Sequence, residues 1–146
     1  MKKHYILYPI VLIIGLLIGA LVFYFTAYKN MLLVMDTHQE QYHFYVEEQT
    51  NKAYNNKNPE IAIWSLLNFL DYLKTRNETI WFTEENKFTI TNLTYVRLAL
   101  MYKKIENEEE YKKYMNIALK MINDKFNDKT YTEKDLIKSV KVFYNQ

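Results

Sequence analysis

The sequence predicts an all-α protein: a single N-terminal transmembrane helix, then a small domain of helical hairpins closed by a C-terminal capping helix. Three observations predict it. Residues 9–28 form an apolar run without a charge, and twenty residues at about 1.5 Å each match the roughly 30 Å of bilayer hydrocarbon. Beyond that run the chain holds one proline, Pro59, and no glycine, so the tight turns of a β-protein lack the residues that build them. Capped segments with apolar residues three and four apart then recur to the end of the chain.

The run from Pro9 to Tyr28 reads as an uncleaved signal-anchor. A cleaved signal peptide ends on small residues in an Ala-x-Ala pattern, whereas Phe25-Thr26-Ala27 places an aromatic ring at the first of those positions. Tyr5 and Tyr8 before the run, and Phe23, Tyr24, Phe25 and Tyr28 at its end, suit the two membrane interfaces. Lys2 and Lys3 precede it, and Lys29 alone follows closely. This bias puts residues 1–8 in the cytoplasm as a short tail and the rest outside, in the periplasm beyond the inner membrane if the source is bacterial. Gly15 and Gly19, the only glycines, form a Gly-x-x-x-Gly pair with Ala20 beside it. Missing side chains at that spacing let a second helix approach closely. The absence of cysteine excludes disulfides and thiolate metal sites.

Residues 29–57 read as a juxtamembrane first helix. The reading favoured is a continuous or slightly kinked helix running on from the membrane helix; the alternative is a restart at Thr37, with Glu40 completing a capping box. Apolar spacing predicts Met35, Tyr42, Val46, Gln49 and Ala53 on its core-facing side. The helical domain proper is placed at 58–146. Asn58-Pro59-Glu60 is a helix start: a capping asparagine, proline at the first helical position, and an acid at the positive end of the dipole. Apolar residues wrap so much of the helix to about Arg76 that it is expected to be the central one. Residues 77–91 read as a connection, with at most one helical turn at Thr83-Glu84-Glu85. Its Trp81, Phe82, Phe88 and Ile90 are expected to fold back onto the domain. A third helix is expected from Thr91 or Asn92. Asn107, with Glu110 three residues on, caps a fourth. Asp128 to Tyr131 form a turn, and Thr132-x-x-Asp135 opens a last helix with Leu136, Val140 and Phe143 on one face and lysines on the other.

Tyr95, the Leu98-Ala99 pair, Tyr102 and Ala118 fall where the tetratricopeptide motif has its large residue, Leu-small pair, tyrosine and later alanine. Residues of about 92–124 therefore resemble one tetratricopeptide repeat. Tyr111 departs from it, since the motif has a small residue there. Asn58 to Ile63 resemble the turn and second helix of a preceding, partial unit over about 44–70. The resemblance implies a protein-binding scaffold with a concave face made by the first helix of each unit. On the first unit that face carries Glu47, Asn51, Tyr54 and Asn55. On the second, Lys103 and Lys104 stand at the rim, while Leu93, Val96 and Leu100 are expected to pack inside.

Beyond the anchor, 17 basic and 17 acidic residues balance, which argues against nucleic acid or a strongly anionic lipid surface as partner. Histidine occurs at His4, His38 and His43 and serine at Ser65 and Ser139, too little for a Ser-His nucleophile. One constellation has chemistry in it. Asp36, Glu40, His43 and Glu47 share a helical stripe, and Glu40-x-x-His43 has the spacing of carboxylate metal sites. Such sites need the motif twice, and it occurs once. Asn77 and Asn92 head formal glycosylation sequons. The reading is a non-enzymatic accessory or scaffold subunit, without cofactor, that contacts a protein partner in a membrane complex. The expected partners are the lipid bilayer and one or more proteins of that complex, among them another transmembrane helix or, in a homodimer, a second copy. A membrane-anchored metalloenzyme using Glu40, His43 and Glu47 is the alternative, and a ligand sensor the third.

Overall fold

The computed structural model describes residues 4–144, which form five α-helices and no strand. Lys2 and Lys3, on which the cytoplasmic placement of residues 1–8 rests, lie outside the described residues. Helix α1, His4–Tyr54, is continuous. The restart at Thr37 does not occur, because the Thr37 hydroxyl donates back to the Leu33 carbonyl (2.8 Å) within the helix. The chain divides into two compact units, the first ending at Gln39 and the second beginning at Glu40. In the first, α1 is exposed on all sides from Tyr8 through Met35 and is long and apolar enough to cross a membrane. The second unit begins well ahead of Asn58, where the sequence places the domain edge, because the last turns of α1 bury side chains in it.

Helix α2 spans Pro59–Thr75, and the Asn58 side chain accepts from the Glu60 N–H (2.9 Å) as its cap. It buries one face, with Ala62, Leu66, Phe69 and Leu73 at its centre, and leaves Ile61 and Trp64 exposed. It is not the central helix. That place belongs to α3, Glu84–Lys104, which packs against α2, against α4 (Glu108–Lys125) and against α5 (Glu133–Tyr144). Helix α3 also starts seven or eight residues earlier than expected. The Thr83 hydroxyl accepts from the Asn86 N–H (3.2 Å), and Glu84 and Glu85 complement the dipole. Asparagine in place of Glu or Gln at the third position leaves the capping-box signature incomplete, so the start is easily read as a connection. Of the segment's large apolar residues, Phe82 and Ile90 are buried, while Trp81 is 63% exposed instead of folded back. Phe143 of α5 is likewise exposed, leaving Leu136 and Val140 as that helix's buried pair.

Leu93, Val96 and Ala99 of α3 meet Tyr111, Met115 and Ala118 of α4 and Leu136 and Val140 of α5 in one core cluster. Leu98 and Met101 meet α2 in a second, and Phe69, Leu73, Phe82 and Ile90 form a third. Tyr111 is fully enclosed and its hydroxyl donates to Glu133 at the start of α5. Burial, reinforced by that carboxylate, pushes the Tyr111 phenol up to about 12. A tyrosine in the place of a small residue thus ties three helices together.

The corner between α3 and α4 is a Schellman motif. The Asn107 N–H reaches the Tyr102 carbonyl (2.9 Å) and the Glu106 N–H reaches that of Lys103 (3.1 Å). Glu106 sits at φ 60°, the left-handed position usually held by glycine. Glu106→Gly is expected to stabilise the protein by about 0.5–1 kcal/mol, because a side chain there is strained. Thermal unfolding of the full chain in micelles checks it: an unchanged or lower Tm contradicts the strain.

Candidate functional site

The last four turns of α1 carry a polar seam. His43 is 3% exposed, stacked at 6.2 Å on Phe69 and 5.9 Å on Tyr72, with Phe82 at 4.7 Å. On its N-terminal side, Glu40 accepts from Arg76 Nη2 (2.5 Å) and from the Thr79 hydroxyl. The Arg76 guanidinium in turn lies 3.7 Å above the Phe82 ring and donates to the Tyr72 hydroxyl (3.2 Å). On the C-terminal side come Glu47, Thr50 and Tyr54, at helical spacing. Arg97, from the middle of α3, is 1% exposed, and its guanidinium carbon lies 4.1 Å from the Tyr54 ring and 4.0 Å from the Tyr144 ring. Its Nε and Nη1 find no hydrogen-bond partner among the described residues. Ring faces and the field of the Glu47 carboxylate hold the charge instead.

Burial, and then the nearby Arg76 charge, lowers the His43 imidazole to about 4 against the weaker pull of Glu40. The ring is therefore neutral near pH 7, and its 3.6 Å approach to Glu47 is not an ion pair there. The consequence for stability has a definite sign. The unfolded chain takes up the histidine proton near pH 6.5, ahead of the folded one, so the contribution of His43 is complete above 6.5 and is lost as pH falls towards 4. Burial raises the Glu47 carboxyl, which acts in the opposite sense over the acid end of that window. Tm is expected to decline between pH 6.5 and 4, and His43→Phe is expected to flatten the decline. Equal slopes in the two proteins would contradict the assignment.

The stripe considered for metal binding is thus organised around two arginines. Glu40 serves Arg76, Glu47 faces the field of Arg97, and Asp36 belongs to the first unit. No group of three or more His, Cys, Asp or Glu among the described residues is placed to hold a metal ion. Apolar spacing places part of the inward side of α1: Val46 packs on the Phe69 cluster and Ala53 is half-buried, while the other expected positions face outward. His43 and Thr50 are buried where Tyr42 and Gln49 were expected, and Tyr42 and Met35 stand exposed. Positions 43, 47, 50 and 54 have helical spacing, but polar residues carry it, so a search for hydrophobic periodicity passes over them.

The residues assigned to a partner face are divided. Glu47 and Tyr54 turn into the domain, and Asn51 is half-buried with its side-chain oxygen enclosed. Asn55, Lys103 and Lys104 are exposed, with the Lys103 amine 4.5 Å over the Tyr111 ring. Leu93 and Val96 pack inside as expected. A side-chain carbon added at Gly15 or Gly19 would meet nothing within 4 Å, so α1 itself does not require glycine at either place. Asn92 is buried and donates to the Ala118 carbonyl (2.7 Å), so its sequon is closed to modification in the folded domain.

The accessible concave surface lies elsewhere. Two adjoining pockets, of about 380 and 290 Å³, open on one face of the second unit and share Thr89 of α3 and Phe143 of α5. The larger is apolar, between Phe88, Phe126 and Val142. The smaller has Phe44, Trp81 and Phe82 as walls and Glu47 among its polar groups. Phe44 is 67% exposed, and Val142 and Phe143 are open as well. Compared with known proteins, the chain matches no family model, no curated protein and no solved structure.

Proposed function

We propose that this protein is a membrane-anchored, non-enzymatic accessory subunit whose helical domain binds a partner protein outside the membrane. The single observation that carries the reading is an exposed apolar face on the second unit. His43, Arg76 and Arg97 are buried on structural duty with Glu40 half-buried beside them, while large apolar residues (Phe44, Trp81, Val142, Phe143) stand exposed around the two adjoining pockets. Large contiguous apolar exposure on a folded domain marks an interaction surface. The apolar run of α1 serves as the anchor, with the N-terminus cytoplasmic by the Lys2–Lys3 bias, and Gly15, Gly19 and Ala20 offer a close-packing face to a neighbouring helix. Helices α3 and α4 act as a tetratricopeptide-like hairpin in this reading, supported by the packing of Leu98, Ala99 and Ala118 at zero exposure. No residue is assigned a catalytic role.

The test is purification of the full chain from its native membrane in mild detergent, beside a form lacking residues 1–28. A stoichiometric protein partner retained by both assigns the contact to the domain; one retained only by the full chain assigns it to the span. Absence of any stoichiometric protein from either contradicts the reading. Cysteine accessibility across residues 30–36 reports the orientation.

A further inference from the structure

We infer that the paired pockets flanking Phe143 form a docking groove for an amphipathic segment of the partner protein. That segment carries two large apolar side chains, with an acidic residue at one end and a lysine or arginine at the other. The inference rests on the partner-binding reading above and adds its location and chemistry.

The shape argues for two anchors. Thr89 and Phe143 line both pockets and so stand on the ridge between them. An occupant crossing the ridge places one side chain among Phe88, Phe126 and Val142 and another among Phe44, Trp81 and Phe82. Two successive apolar anchors on one face are what an amphipathic helix laid into a groove presents.

The charges then orient it. Lys138 lines the larger pocket, and the Lys125 amine stands 4.0 Å over the Phe88 ring of the same wall. Among the described residues, no acid lines that pocket. The charged residues lining the smaller pocket are Glu40 and Glu47. Arg76 is bonded to Glu40, whereas Glu47 has no arginine within ion-pair distance among the described residues. Glu47 feels Arg97 and Arg76 only through their fields, and lines the pocket beside the exposed aromatic edges of Phe44 and Trp81. A carboxylate next to aromatic faces suits an ammonium or guanidinium group, which both attract. The two ends therefore ask for opposite charges. A lipid acyl chain could fill the larger pocket but supplies no cation for the smaller, so a polypeptide fits better.

The experiment places a photo-crosslinking benzoylphenylalanine at Thr89 or Val142, both exposed on the groove, and at Trp64 on exposed α2 as reference. The full chain is used in its native membrane, and adducts are mapped by mass spectrometry. The expected result is that Thr89 and Val142 label the same protein in one short segment with the stated apolar and charged residues. Lys125→Glu with Lys138→Glu should then reduce the adduct several-fold, while the variant melts like the parent. Lipid adducts, adducts to a second copy of this chain, a mapped segment lacking that pattern, or no response to charge reversal would each overturn the groove assignment. Labelling of a protein from Trp64 alone would leave the partner-binding reading standing without the groove. No protein adduct from any position would remove both.

Discussion

Replacing Arg97 by methionine is expected to lower the stability of the folded domain by about 2–4 kcal/mol, the loss of two desolvated cation–π contacts at about 2 kcal/mol each. For a unit of this size, that is a fall in Tm on the order of 10–20 °C. The guanidinium is 1% exposed and packs on Tyr54 of α1 and Tyr144 of α5. Removing it takes both ring contacts away and weakens the positive field that offsets the burial of Glu47, leaving only that of Arg76. The sign of the pH dependence separates this electrostatic cause from simple loss of packing. Burial already raises the Glu47 carboxyl, and removal of Arg97 raises it further. A raised carboxyl contributes most below its unfolded value of 4.5 and loses that contribution as pH rises. The deficit of Arg97→Met relative to the parent should therefore be smaller at pH 5 than at pH 8. Adding Glu47→Met should restore part of the lost stability, since it removes a partly buried carboxyl that has lost the larger of its two offsetting fields. A deficit independent of pH and unrelieved by the second substitution would show that Glu47 and Arg97 are not coupled.

Phe69→Ala is the second large effect, at about 3–5 kcal/mol for a fully buried phenylalanine. Phe69 is enclosed in the cluster with Leu73, Phe82 and Ile90, and its ring stacks on both His43 and Tyr72. The cavity falls against the neutral imidazole. Water entering it would hydrate His43 and return its pKa towards 6.5, because burial is the main cause of the depression. Two readouts should thus move together: a lower Tm, and a His43 titration by NMR shifted upward from about 4. A loss of stability with an unmoved titration would mean that the site collapses dry around the gap.

The two expectations share a cause, since both concern the face that the end of α1 turns into the domain. Sequence reasoning found the elements through their ends. Asn58 with Pro59, Asn107, and Thr132 with Asp135 are local devices, each settled by one residue's side chain and its neighbour's N–H. It missed the start of α3 because the Thr83 cap lacks its usual acidic partner. It placed α2 at the centre because apolar count does not reveal which helix touches three others. It found Val46 on the inner face of α1 but put Tyr42 and Gln49 where His43 and Thr50 lie, because those two are polar by type and buried by circumstance.

The amino-acid sequence by itself determined that the chain is helical, that its N-terminal helix can cross a membrane, and where most helices begin. These follow from propensity, capping and apolar length, which act within a few residues. Only the tertiary structure decided that Arg76 and Arg97 would meet Glu40 and the Glu47–Tyr54 face, and that Trp81 and Phe143 would remain on the surface. Burial of a charge depends on a counter-charge or ring arriving from a distant part of the chain. No local pattern encodes that arrival.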